Sequence, residues 1–116
     1  MKNISEIQRI EGQIVRLSSF NNFDGNAVVD YLYKQDYVQS FAMRTESERD
    51  AVLSIRDLKD DREILSTLYI KIDPTASFEE INYIYSDLEN VFDADEVDIT
   101  DESPRAEGVV IRVWWD

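Results

Sequence analysis

The densest group of side chains capable of chemistry is the run Asp93-Ala94-Asp95-Glu96-Val97-Asp98. Closely spaced carboxylates can bind a hard cation or share a proton in acid–base work. A calcium loop needs oxygen ligands at alternating positions, then a glycine and a closing glutamate. Here Val97 stands at the third ligand position, Asp98 replaces the glycine and Pro104 replaces the glutamate. The run is therefore read as a solvated acidic turn and not as a metal site. With 25 acidic residues in the chain, carboxylate pairs arise by number alone, and none sits in a catalytic motif. There is no Cys and no His, which removes thiolate chemistry, disulfides and the commonest general base and metal ligand. Gly12, Gly25 and Gly108 lie too far apart to form a phosphate-cradling loop. The expectation is a non-enzymatic protein with no cofactor and no metal.

The acids are unevenly spread. From Asp73 to Pro104 there are eleven of them and no Lys or Arg, so this stretch carries most of the chain's formal charge of −13. Such a field disfavours contact with nucleic-acid phosphates and with anionic membranes. It favours a basic surface. The leading reading is a small acidic binding protein of the inhibitor, immunity or anti-defence type. Its carboxylates would stand in for phosphates, as in a DNA mimic, against a nucleic-acid-binding protein or a nuclease. The analogy is one of charge and size. The expected partner-binding residues are Glu79, Glu80, Asp87, Glu89, Asp93, Asp95, Glu96, Asp98, Asp101 and Glu102. The alternative is a regulatory or assembly domain whose acidity only keeps it in solution. That domain would dimerise or bind a small ligand through an open sheet face bearing Tyr69, Lys71, Arg112 and Trp114.

A chain of 116 residues, 43% hydrophobic and 32% charged, is expected to form a single α+β domain over 1–116. No apolar run reaches the roughly 20 residues of a membrane span. The first residues lack the apolar centre of a secretory signal. The cytoplasm is the expected compartment.

Periodicity orders the elements. Residues 3–11 predict a short helix with Asn3 as cap, Glu6 completing a capping box, and Ile4, Ile7 and Ile10 inward. Residues 13–20 could continue that helix, but their alternation reads better as a strand; 26–35 read as a helix and 37–44 as a strand with Tyr37, Phe41 and Met43 on one face and Val38, Ser40 and Ala42 on the other. Residues 51–58 and 64–72 read as strands around the polar loop Lys59–Arg62, against a rival helix starting at Thr45. Ser77 with Glu80 forms a capping box for a helix over 77–92, with Phe78, Ile81, Tyr85, Leu88 and Phe92 as its apolar stripe. Residues 97–100 and 108–115 complete the strands. Trp114 and Trp115 then point to opposite faces.

This order reads as β-α-β-β twice, over 13–58 and 64–115, after a short N-terminal helix. The expected fold is an antiparallel sheet with two helices on one face. One outcome follows from charge alone. With 25 acids against 12 basic residues, the protein should not retard duplex DNA in a gel at physiological salt. A shift at micromolar protein would overturn that reading.

Overall fold

The computed structural model describes residues 1–20, 22–44, 67–100 and 108–115. Among them are three helices: α1 (Glu6–Leu17), α2 (Gly25–Tyr33) and α3 (Phe78–Asn90). The strands are β1 (Ser19–Phe20), β2 (Phe23–Asp24), β3 (Val38–Arg44), β4 (Thr67–Ile72), β5 (Glu96–Thr100) and β6 (Val109–Trp114). The last four form one antiparallel sheet in the order β3-β4-β6-β5, so the fold is α+β. β1 and β2 make a separate two-residue ribbon. Since β4 and β5 are both antiparallel to β6, they run parallel to each other. The β4-α3-β5 crossover is thus a split unit with β6 inserted between its strands.

The sheet follows its alternating pattern. Leu68, Ile70 and Ile72 of β4 are fully buried, and Ile111, Val113 and Trp115 continue the same face along β6. They join Val28, Val29 and Leu32 of α2 and Ile84 and Leu88 of α3 in one apolar cluster. Trp115 packs against Phe23 in a tilted arrangement with ring centroids 4.5 Å apart, and its Nε1–H donates to the Phe92 carbonyl at 2.8 Å. That bond satisfies the one polar atom of a large buried ring. Trp114, on the other face, is half-buried with Tyr69, Lys71 and Arg112. β3 departs from simple alternation. Its register against β4 shifts between Val38 and Ser40, and the bulge turns Val38 into the core beside Phe41 and Met43.

The structure corrects the reading of the N-terminal region. Residues 13–17 are helical, so the expected strand 13–20 survives only as the two residues of β1. The helix is capped by Ser5, whose side chain accepts from the Gln8 N–H, and not by Asn3. Ile7 and Ile10 are 70% and 47% exposed, while Gln8, Glu11, Gly12, Ile14 and Val15 form the buried face. The first half of the proposed duplication therefore opens with a helix. Its strand 51–58, the loop Lys59–Arg62 and the rival helix from Thr45 lie outside the described residues.

Polar residues win the inner face of α1 because α1 lies against β3, an end strand of the sheet. End strands leave a row of backbone groups without partners. Gln8 meets two of them: its Nε2 donates to the Phe41 carbonyl at 3.1 Å and its Oε1 accepts the Phe41 N–H at 2.9 Å. One turn on, Glu11 takes both Nη atoms of Arg44 at 3.1 and 3.2 Å, in a pair whose side chains are about a tenth exposed or less. The turn between the helices is equally tight. A side chain on Gly25 would place Cβ 2.0 Å from the Val15 carbonyl oxygen, so only glycine lets α2 start there.

α3 matches its expected span within two residues and has the full Ser77/Glu80 capping box. Its buried centre is Ile84 and Leu88, flanked by half-buried Ile81, Tyr85 and Phe92. Phe78, expected in the apolar stripe, is instead 66% exposed.

The Gln8 carboxamide gives a direct test. Gln8→Ala should lower stability by about 2–4 kcal/mol in urea unfolding, since it strands a buried donor and a buried acceptor. Gln8→Glu should also destabilise near neutral pH, because a carboxylate can accept from the Phe41 N–H but repels its carbonyl. A loss below about 0.5 kcal/mol for both would show that the edge is satisfied without Gln8.

Candidate functional site

The acidic stretch folds as helix, turn and end strand. α3 carries Glu79, Glu80, Asp87 and Glu89; the turn carries Asp93 and Asp95; β5 carries Glu96 and Asp98. Asp101 and Glu102 lie outside the described residues. Glu79, Glu89, Asp93, Asp95, Glu96 and Asp98 are exposed, whereas Glu80 and Asp87 are half-buried.

Several of these acids have structural tasks. Glu80 Oε1 accepts the Ser77 N–H at 3.1 Å and completes the capping box. Asp87 Oδ2 accepts the Tyr31 hydroxyl at 2.7 Å and ties α3 to α2. Asp98 faces Arg112 across the β5–β6 ladder and pairs with it at 3.1 Å, with Glu96 at 3.6 Å from the same nitrogen. Arg112, placed on the open sheet face by its alternation, is thus turned to the acidic strand. Asp93 ends α3 with a left-handed φ of 54°, and the Ala94 N–H returns to the Leu88 carbonyl at 3.1 Å. Aspartate tolerates that conformation better than most residues. Just before the helix, Asp73 accepts from both the backbone N–H and the hydroxyl of Thr75. These bonds hold its carboxyl below the usual carboxylate range.

The acids on different elements act on common neighbours. Burial raises the Tyr85 phenol, and the charges of Glu89 on α3 and Asp98 on β5 raise it further. Helix and end strand therefore contribute to one negative potential. Among the described residues no group of three or more acids has the geometry to hold a metal ion. No described helix is long and apolar enough to cross a membrane.

A second feature had no sequence signal. A cavity of about 370 Å³ lies between the segment after α2 and the first turns of α3. It is lined by Lys34, Asp36, Tyr37, Glu79, Glu80 and Tyr83, among others. Its residues come from separate parts of the chain, and only the fold brings them together. The chain matches no family model, no curated protein and no solved structure.

Tyr31 supplies a pH test of the α2–α3 tie. Burial first, then the hydrogen bond and charge of Asp87, push its phenol well above the ordinary tyrosine range. The folded pKa is raised, so the contribution to stability is complete below the unfolded value of about 10 and is lost as pH rises beyond it. Tyr31→Phe should cost roughly 1–2 kcal/mol at neutral pH, with Asp87 left lacking a donor. It should also flatten the loss of stability above about pH 10. Unfolding curves for parent and variant across that range check both effects, and an unchanged alkaline slope would refute the assignment.

Proposed function

We propose that this chain is a small, non-enzymatic binding protein that engages a basic protein surface through the acidic face of α3 and β5. The observation that carries the reading is the placement of Glu79, Glu89, Asp93, Asp95, Glu96 and Asp98. All six are exposed on consecutive elements, in a stretch from Asp73 to Pro104 with no Lys or Arg. Arg112, on the neighbouring strand, pairs with Glu96 and Asp98 of that run.

The partner class follows from the electrostatics. A surface built to bind phosphates, as on a nuclease or another nucleic-acid-binding protein, presents clustered Lys and Arg. Carboxylates arrayed on a rigid helix and strand can occupy that surface in place of the phosphates. This would make the protein an inhibitor of the immunity or anti-defence kind. Attraction over a Debye length would speed association and make it sensitive to salt. Residues tied into the fold, Glu80 and Asp87, contribute field and not direct contact.

The test removes charge where the fold tolerates it. Glu89→Lys lies on an exposed helical position. Asp93→Asn keeps a residue suited to left-handed backbone, and Asp95→Asn keeps hydrogen-bonding capacity. Such changes at exposed sites should alter stability by no more than about 0.5 kcal/mol each. A hexa-arginine peptide should bind the parent in a salt-dependent manner. The triple variant should bind about tenfold more weakly at low ionic strength, chiefly through a slower on-rate. Equal association rates for parent and variant would remove this face from the function.

A further inference from the structure

We infer that the cavity between the end of α2 and the start of α3 is an anchor site for a single arginine side chain of the partner. The inference rests on the acidic-face reading only in its choice of a basic partner; the cavity itself is a separate observation. Its volume of about 370 Å³ is within the range of small-ligand sites. That is enough for one long side chain and its displaced water.

The lining selects the occupant. Tyr37 and Tyr83 supply two aromatic rings to the lining, one after α2 and one on α3. Aromatic faces attract cations, and a flat guanidinium also stacks on them. Asp36, Glu79 and Glu80 place three carboxylates around the same space, against the single cation Lys34. The Glu80 carboxylate has one oxygen engaged by the Ser77 N–H, while its Oε2 is buried without a hydrogen-bond partner. Glu80 therefore adds its negative charge to the field in the cavity and not a direct contact. The end of α2 adds to this preference, since the carboxyl end of a helix is the negative pole of its dipole.

Arginine is favoured over lysine on chemical grounds. Its fork offers five donors in one plane, which matches ring stacking and carboxylates at the rim together. An ammonium group is a strongly hydrated point charge and gains less from a ring. A phosphate is excluded by the same lining, although the site borders the amino end of α3, because Glu79 and Glu80 occupy its first turn. Lys34 opposes any cation entering the cavity and so sets the affinity; it forms no ion pair among the described residues.

The experiment is a nuclear magnetic resonance titration of the whole chain with N-acetylargininamide, and in parallel with its neutral isostere N-acetylcitrullinamide. Arginine should give saturable shifts centred on Tyr37 and Tyr83, with a dissociation constant on the order of 1 mM for so small a ligand. Citrulline should give none. Tyr83→Ala, at a ring that is 63% exposed and so dispensable for folding, should weaken binding about fivefold or more. Lys34→Ala should strengthen it about threefold. Citrulline binding as tightly as arginine, or a Tyr83→Ala variant that binds arginine unchanged, would overturn the assignment. A hexa-arginine peptide separates the two readings. If the peptide binds with salt dependence while free arginine produces no saturable shift, the anchor is wrong and the acidic face stands. If neither binds, both fall.

Discussion

The sheet depends on one side-chain amide. Gln8 gives the outer edge of β3 both a donor and an acceptor at Phe41, in the manner of a neighbouring strand. Without it, a buried backbone pair would be left unsatisfied at the point where α1 meets the sheet. The Glu11–Arg44 pair extends the same closure by one helical turn. Together they orient α1, which sets the Val15 and Ser18 carbonyls against which α2 begins at Gly25. The position of α2 in turn fixes Tyr31 against Asp87 on α3. A chain of polar contacts thus links one edge of the sheet to the helix that carries much of the acidic face.

Acidity at the other edge plays two parts at once. Asp98 and Glu96 neutralise Arg112 across the strands, which stabilises pairing at β5. The same charges guard an end strand against pairing with other chains. Sheet protection alone would call for charge on β5, yet Glu79, Glu89 and Asp93 extend the field over the helix and turn, where no strand edge needs guarding. That excess is what favours a partner of opposite charge over simple edge protection.

Local rules worked where local physics decides structure. The Ser77/Glu80 box, the alternation of β4 and β6 and the burial of Leu88 all follow from spacing along one segment. They failed at α1, where Ile7 and Ile10 are exposed and a glutamine and a glutamate face inward beside Ile14 and Val15. Hydrophobic periodicity assumes that a helix buries apolar atoms, whereas this one buries groups that complete a sheet edge. Val38 was misplaced for a related reason, since a bulge shifts the strand by one residue and reverses its faces. The acidic face was legible as charge, but its division into working parts was not. That Asp87 serves Tyr31 and that Asp98 serves Arg112 are facts of distant contacts. The arginine-sized cavity was invisible for the same reason, being made from segments more than 40 positions apart.

The place of β6 has a consequence for the order in which the molecule can assemble. It is the last of the four sheet strands along the chain, yet it lies between two that precede it. It pairs on one side with β5, its neighbour in the chain, and on the other with the distant β4. Arg112 then enters as the cation that Asp98 and Glu96 lack, and Trp115 seals the apolar side against Phe23. Pairing of β6 with β5 is local, with Asp98 and Arg112 only 14 residues apart, whereas its pairing with β4 joins distant parts of the chain and is the long-range step of sheet closure.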